Sequence, residues 1–343
     1  MGKIDDGNNS SSQRQRKKGG GRKRISRNDP EIMKDLEHLV KPYVNGDPES
    51  PLRWTSKSLR KLCDELHGQG YKIGYVTVGK LLAVMGYTLQ SNKKSHEGSS
   101  NPDRDKQFEQ INKTAEQFIA DSQPVISVDA KKKELVGEFK NNGKEYRPTG
   151  EPEKVNVYDF LDPALGKVTP YGVYDLNANE GFVSVGISHD TAKFAVESIE
   201  KWWETMGHER YPGAHSLFIT ADGGGSNGSR NRLWKNKLQN FADRHGLNVY
   251  VSHFPPGTSK WNKIEHRMFS AISMNWRGKP LVSLEVIVNL IANTKSRSGL
   301  KIKAALNQKQ YHLGEKVTDK ELAELNILFH EFHPEWNYVV LHR

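Results

Sequence analysis

Between Pro124 and residue 276 short apolar runs alternate with helix-like segments, and this order constrains the fold more than any other feature of the chain. Apolar runs of strand length bounded by turn residues predict strands, whereas apolar residues three and four positions apart predict helices. The predicted strands are VISVDA, VTPYGVYDL, GFVSVGIS, LFITAD and NVYVSHF. Predicted helices begin at Thr191, near residue 229 and near Lys260. The order strand–strand–strand–helix–strand–helix–strand–helix predicts an α/β fold with a mixed sheet and helices on both faces.

This element order is that of the ribonuclease-H-like, or retroviral-integrase-like, fold, and three acidic residues occupy comparable places in it. Asp129 ends the first predicted strand, Asp222 ends the fourth, and Glu265 lies on the helix after the fifth. Ligands of open α/β sheets gather outside the carboxyl ends of strands, so these side chains are expected to converge there. Taken singly, each is more often a turn former or a helix cap; their joint placement favours a catalytic site.

Other acidic residues also lie near predicted strands or turns: Glu134, Glu138, Asp159, Asp175 and Asp190. Asp175 is the strongest rival, because it ends a strand of the same predicted sheet. It precedes the Asn-rich hairpin NANEG, however, and a role in that turn explains it.

Two aspartates and a glutamate are suited to bind Mg²⁺, a hard ion that prefers oxygen ligands and keeps several waters. Two such ions, about 3.5–4 Å apart, activate the attacking oxygen and stabilise the leaving oxygen in phosphoryl transfer. Without a cation, clustered carboxylates repel and raise one another's pKa. The sequence therefore predicts a two-metal centre held by Asp129, Asp222 and Glu265, which are both the catalytic residues and the metal ligands.

The formal net charge of +10 favours a polyanionic partner, because Lys and Arg neutralise phosphates. Near the acidic residues the candidate DNA contacts are Lys131, Lys132, Lys133, Trp261, Lys263 and Arg267. The three lysines either hold phosphates or form a solvated strand edge. Trp276 is a further candidate beside Trp261. His253 and His266 flank Glu265, and each either binds metal or orients a carboxylate or water.

Upstream, residues 52–90 have the spacing of a helix-turn-helix, with HGQGYKIGY as the turn. Ser56 is a candidate cap of the first helix and Thr77 of the second. In DNA readers of this type the second helix enters the major groove, which would place Thr77 and Lys80 near the bases. A plain helical hairpin is the alternative reading.

Four segments are predicted: a disordered basic tail over 1–30, a helical helix-turn-helix region over 31–104, a catalytic core over 105–280, and a C-terminal helix-and-strand extension packed on the core over 281–343. In the last, Thr318 and Glu321 have the spacing of a capping box. The final residues are expected to form an ordered tail without chemistry. The single cysteine, Cys63, cannot form a disulfide within the chain, and the sequence contains no apolar run near 18 residues, so a cytoplasmic protein without a membrane span is expected.

Several long motifs resemble the Rhodopirellula-type DDE transposases of bacterial insertion sequences, the ISAzo group. These are SVDAKKKELVGEFKNNGKEYRP, PYGVYDLNANEGFVSVGISHDTAKFAVESI, TADGGGSNG, HFPPGTSKWNKIEHRMFSAISMNWRGKPL and FHPEWNY. The PPG…NKIEH stretch is also similar to a segment of mariner-like transposases that contains their last catalytic acidic residue. The resemblance runs from about Gly21 to Tyr338.

This resemblance implies that Asp129, Asp222 and Glu265 are the catalytic triad. It also implies cleavage of mobile-element ends and transfer of the freed 3′-hydroxyl into target DNA, with two Mg²⁺ or Mn²⁺ ions. The expected partners are the element's terminal repeats, target DNA and a second copy of the chain or a larger oligomer, at the bacterial nucleoid. Family members have a longer helical N-terminal region. One alternative is therefore an inactive or truncated copy that acts as a sequence-specific DNA-binding protein; another is a nuclease that cuts without joining.

Overall fold

A computed structural model describes residue 25 and residues 29–40, 58–85, 101–258 and 261–343. The chain divides into two compact units, residues 1–95 and 96–343. Most of the predicted basic tail and the predicted cap Ser56 lie outside the described residues. Within the described ranges, no helix is long and apolar enough to cross a membrane.

The described residues of the first unit include the helices α1 (Glu31–Val40), α2 (Leu59–Gly68) and α3 (Tyr75–Val84). Their apolar faces share one core, formed by Ile32, Leu36, Leu62, Cys63, Leu66, Ile73, Val78 and Leu81. The cap of α2 is Ser58, whose hydroxyl accepts the backbone N–H of Lys61. The prediction that Thr77 caps α3 is wrong, because its N–H already donates to the carbonyl of Gly74, the extended residue at which the helix begins.

The second unit is built on one sheet. Its strands are β1 (Val125–Ala130), β2 (Glu134–Leu135), β3 (Lys167–Asp175), β4 (Glu180–Gly186), β5 (Ser216–Ala221), β6 (Asn248–His253), β7 (Lys301–Asn307), β8 (Ile327–Phe329) and β9 (Asn337–Val340). The order across the sheet is β7-β4-β3-β1-β5-β6-β9-β8, with β2 paired to β3. Strands β1, β5 and β6 are mutually parallel, whereas β3 runs antiparallel to both β1 and β4.

The helices of this unit are α4 (Arg104–Ala120), α5 (Ala192–Trp202), α6 (Arg232–His245), α7 (Ser270–Asn275), α8 (Leu284–Ala292) and α9 (Asp319–Ala323). A π-helical turn, Trp203–Gly207, continues α5 into the short helical segment His208–Arg210. Another π-helical turn, Glu265–Phe269, leads into α7, so the helix predicted near 260–276 is regular only in part.

Helices cover both faces of the sheet because residues alternate between the faces along each strand. Helices α5 and α6 pack on the face that contains Val128 and Tyr171. Helices α7 and α8 pack on the other face, around Val183, and α4 lies on that same face over Val125 and Phe218. Three antiparallel strands, two further parallel strands and helices on both faces confirm the predicted ribonuclease-H-like α/β fold.

Local capping signals place several helix starts where the sequence predicted them. Thr191 caps α5 by accepting the N–H of Phe194. Thr318 and Glu321 form the predicted capping box of α9. The end of the chain is ordered, but it does more than cover the core, because β9 pairs with β6 inside the main sheet.

Candidate active site

The parallel pairing of β1 with β5 brings two of the predicted carboxylates together. Val128 is level with Ala221 in this register, so the next residues, Asp129 and Asp222, extend from adjacent strands at the same height. Adjacent strands lie about 4.8 Å apart. The backbone alone therefore places two acidic residues side by side at the carboxyl edge of the sheet.

Glu265 reaches the same edge from the π-helical turn that it begins. This turn packs closely on β3 because Gly172, the partner of Asp129 in the β1–β3 register, has no side chain. A Cβ atom at Gly172 would lie 2.6 Å from Met268 Cε and Phe269 Cε1, and 2.8 Å from Ile264 Cδ1. A π-helical turn is uncommon and frequent at functional sites. The glycine in the neighbouring strand thus permits the close approach of the segment that contains Glu265.

Asn262 lies between the two aspartates and is fully buried. Its Nδ2 is 3.4 Å from Asp129 Oδ2 and 3.4 Å from Asp222 Oδ1. The hydroxyl of Ser127 donates to Asn262 Oδ1 and accepts the backbone N–H of Ile264 at 3.3 Å. This fixes the amide so that its NH₂ group points to the carboxylates. The sequence analysis missed Asn262, although it stands one helical turn before Glu265.

Burial and neighbouring negative charge both act on the two aspartates. Burial raises the pKa of Asp129 to about 8, and the carboxylates of Asp222 and Glu265 add to this rise against a hydrogen bond from the Ala130 N–H. Burial also raises the pKa of Asp222 to about 6; Glu265 contributes to the rise, and the Asn262 amide opposes it. Proximity of like charges disfavours ionisation of both groups, so this edge of the sheet favours a proton or a cation.

His253 is a positioning group and not a charged partner. Burial lowers its pKa to about 4, so the ring is neutral at physiological pH. Its Nδ1 lies 3.0 Å from the Asp222 carbonyl oxygen, which can only accept, so Nδ1 bears the proton. Nε2 then accepts the Tyr338 hydroxyl at 3.1 Å, and that hydroxyl accepts the Trp234 indole N–H at 2.9 Å. A buried chain from α6 through β9 thereby holds the backbone of Asp222.

The donor set fits a hard divalent cation in its chemistry: all of the oxygens are carboxylate oxygens, and their mutual repulsion is relieved by positive charge. The ligating arrangement itself is not formed as the side chains stand. Within the described residues, no three His, Cys, Asp or Glu side chains are close enough together to hold one metal ion.

The predicted DNA contacts are distributed unevenly. Lys131 is only 9% exposed; its ammonium lies 2.6 Å from Glu134 and 4.5 Å from the ring centre of Trp276, which is itself buried. Lys132 and Lys133 are exposed. Three further candidates, Trp261, Lys263 and Arg267, are exposed around the Glu265 turn, as is His266. In the first unit, Lys80 is exposed and Thr77 is half-buried on α3.

Trp261 borders a cavity of about 340 Å³ between α4 and the end of β6. Its indole packs edge-on against Phe108, with the ring centres 6.1 Å apart. The ring is still 51% exposed. Lys263 and Arg104 also line this cavity, together with Asp105, whose carboxylate lies 3.2 Å from Arg104 Nε.

Comparison with known proteins gives a match to one protein family over most of the chain. The family described as "Rhodopirellula transposase DDE domain" matches residues 35–341. The solved Mos1 transposase paired-end complex with left transposon end is 12% identical, with a TM-score of 0.41 over 79% of this chain and 71% of that chain. The mariner Mos1 paired end complex with Mg is 10% identical, with a TM-score of 0.42 over 81% and 74%. No curated protein matches.

Proposed function

The chain belongs to the Rhodopirellula transposase DDE domain family, and we propose that it cleaves the ends of a mobile DNA element and joins them to target DNA through Asp129, Asp222 and Glu265. The family match covers nearly the whole chain and confirms the resemblance found in the sequence. Membership makes the protein a transposase; the triad, the cleavage and the strand transfer are the proposal.

One observation supports the triad above all. Asp129 and Asp222 stand level on adjacent parallel strands, share the amide of Asn262, and each has its pKa raised by Glu265. Residues far apart in sequence are thus placed where their charges interact. Lys131 follows Asp129 by two positions, yet its ammonium is ion-paired with Glu134.

Asp129, Asp222 and Glu265 would hold Mg²⁺ or Mn²⁺, two ions in total. When bound, the ions activate the attacking oxygen and stabilise the oxygen that leaves phosphorus. The Asn262 amide and the His253–Tyr338–Trp234 chain hold Asp129 and Asp222 in place, which limits the reorganisation needed at the moment of reaction. Neutral His253 adds no positive charge that would compete with the cations.

In the cleavage step, a water oxygen bonds to phosphorus at the element end and the 3′-oxygen leaves as a hydroxyl. In the joining step, that 3′-hydroxyl bonds to a target phosphorus and displaces a target 3′-oxygen. Exposed Lys132, Lys133, Lys263 and Arg267 would contact phosphates, and Trp261 would contact DNA beside them. We further propose that Thr77 and Lys80 on α3 contact the terminal repeats, and that two or more copies bring the two ends together.

The test is a cleavage and joining assay with DNA that contains the ends flanking the protein's own gene. Reactions contain Mg²⁺, Mn²⁺ or EDTA, and the Glu265→Gln variant is run beside the natural protein. Metal-dependent 3′-end cleavage with joined products, lost in the variant, is the expected result. Tight binding to the ends without cleavage would instead identify a DNA-binding copy, and cleavage without joined products would identify a nuclease.

A further inference from the structure

Three buried polar side-chain atoms have no hydrogen-bond partner within the described part of the chain: Tyr171 Oη, Asp190 Oδ1 and Asn227 Nδ2. Tyr171 lies on β3, Asp190 lies two positions before α5, and Asn227 ends the 3₁₀ turn Gly225–Asn227. Buried polar groups are satisfied in the great majority of cases. Three exceptions therefore require a common explanation if they lie together.

They do lie together, beside the triad. Tyr171 pairs with Ala130, the residue after Asp129. Burial raises the pKa of Tyr171, and the carboxylates of Asp129, Asp190 and Asp222 raise it further, so the hydroxyl is near all three. Asp190 also contributes to the raised pKa of Asp129. Ser226, next to Asn227, lowers the pKa of Asp190 against the rise caused by burial, so its hydroxyl lies near that carboxylate.

Asp190 approaches from the side of the sheet opposite to Glu265. Helix α5 begins directly after Asp190 and Thr191, and it packs with Tyr171 on one face. The turn that begins at Glu265 packs on the other face through Met268 and Phe269. The strand-end pair Asp129 and Asp222 therefore has a further carboxylate on each side.

Burial alone does not leave a carboxylate without partners in this protein. Asp175 is only 2% exposed, yet it accepts the Tyr211 hydroxyl and the backbone N–H groups of Asn177 and Ala178. At Asp190, by contrast, one oxygen is buried and unpaired. A carboxylate oxygen without a partner in the protein is available to a hard divalent cation, which prefers oxygen ligands.

We propose that Asp190 is a fourth carboxylate of the metal centre, binding divalent cation together with Asp129 and Asp222. Tyr171 and Asn227 act as positioning residues, whose hydroxyl and amide donate hydrogen bonds to the oxygens gathered there. This inference rests on the proposed function, because it assumes that the triad binds metal. It extends the binding site from three residues to four and assigns the segment before α5 a role in metal affinity.

The test measures Mn²⁺ binding to the full-length protein without DNA, by the loss of the free-ion electron paramagnetic resonance signal. Asp190→Asn keeps the size of the side chain, so we expect a folded protein that binds Mn²⁺ roughly 10–100-fold more weakly, the range for disturbing a metal centre. Asp175→Asn is the control, since it removes a buried carboxylate that lies at the end of β3, four residues beyond Tyr171, and its Mn²⁺ affinity should equal that of the natural protein. Melting temperatures in EDTA verify that both variants are folded.

Wild-type Mn²⁺ affinity in Asp190→Asn would overturn the inference, and if Asp129→Asn still lost binding, the proposed triad would stand. No Mn²⁺ binding by the natural protein would overturn the proposed metal centre itself, and the fourth ligand with it. Tyr171→Phe, which removes only the hydroxyl, offers a second variant: weakened Mn²⁺ binding supports the positioning role, and unchanged binding removes Tyr171 from the proposal.

Discussion

The two ends of the β1–β3 strand pair contain acidic residues in opposite situations. At one end Asp175 pairs with Ile126, and at the other Asp129 pairs with Gly172. Burial raises the pKa of both carboxyl groups. Asp175 accepts hydrogen bonds from Tyr211, Asn177 and Ala178. Asp129 also has donors, the Ala130 N–H and the Asn262 amide, but the carboxylates of Asp222, Glu265 and Asp190 raise its pKa further. Burial is therefore common to both carboxylates, and nearby negative charge distinguishes Asp129.

The same hydrogen bonds bear on Asp175, the strongest alternative candidate for the triad in the sequence analysis. Asp175 and Asp129 are both acidic residues near strand ends. The hydrogen bonds from Asn177 and Ala178 give Asp175 the role in the hairpin turn that the sequence predicted. Its oxygens are used within the protein, so they are not available to a ligand.

The largest expected difference is in the rate of DNA cleavage, between two variants that each remove one carboxylate charge from a different end of the β1–β3 strand pair. Asp222→Asn should lower the rate of DNA cleavage by about 10³-fold or more, because removing a single preorganised electrostatic contribution already costs about 10²–10³-fold. Asp175→Asn should keep cleavage within a few-fold of the natural protein. Single-turnover cleavage rates, with gel-shift binding to confirm that DNA is still bound, compare the two. Equal losses in both variants would erase the distinction between the ends.

A smaller effect concerns stability and pH in the absence of metal. Burial and neighbouring carboxylates raise the pKa of Asp129 to about 8 and that of Asp222 to about 6, from an ordinary value of 3.8 for each. A raised folded-state pKa contributes stability that is present below the unfolded pKa and is lost as pH rises through the folded pKa. In EDTA, the free energy of unfolding should therefore fall from about pH 4 to pH 8.

Mg²⁺ should separate the contributions of the two ends of the β1–β3 strand pair, because the proposed cation site lies only at the Asp129 end. Saturating Mg²⁺ should reduce the pH-dependent fall in the free energy of unfolding that Asp129 and Asp222 cause. The part of the fall that comes from the raised pKa of Asp175 should remain. Urea unfolding at a series of pH values, with and without Mg²⁺, measures both parts. A pH dependence that Mg²⁺ does not alter would show that the cation does not bind at the Asp129 end.

The smallest effect separates two tyrosine hydroxyls. Tyr338 donates to His253, which holds the Asp222 backbone, and Tyr211 donates to Asp175. Tyr338→Phe and Tyr211→Phe should each reduce the free energy of unfolding by roughly 1–3 kcal/mol, since each leaves a buried partner unsatisfied. Only Tyr338→Phe should also slow cleavage. If Tyr211→Phe slows cleavage to the same degree, the effect is one of general stability.

Much of the second unit was predictable from sequence because its signals are local. The strand runs VISVDA and LFITAD place Asp129 and Asp222 at strand ends, and the caps Thr191 and Thr318 mark helix starts within one turn of their hydrogen-bond partners. Residue type alone predicted the wrong cap for α3. Thr77 has the right chemistry, but Gly74 adopts the extended conformation that starts α3.

Other features arise from contacts between residues more than 80 positions apart. Asn262 was missed because its role depends on Asp129 and Ser127, more than 130 positions earlier. The closing residues were expected to form an ordered tail without chemistry, and the sequence did not show that Tyr338 forms a hydrogen bond with His253, 85 positions away. Neither relation leaves a periodic pattern in the chain.

Residue spacing was thus enough to predict β1, β3, β4, β5 and β6, most helices and the places of the three candidate carboxylates in these elements, because secondary structure and capping depend on neighbours within about one helical turn or one strand. It did not predict the short strands β2, β8 and β9. The pairing of each buried polar group was settled only when the sheet was assembled. The β1–β5 register set Asp129 beside Asp222, Gly172 admitted the Glu265 turn, and the packing of α5 brought Asp190 to the same edge. Burial and mutual charge depend on such distant neighbours, and together they raise the pKa of Asp129 and Asp222.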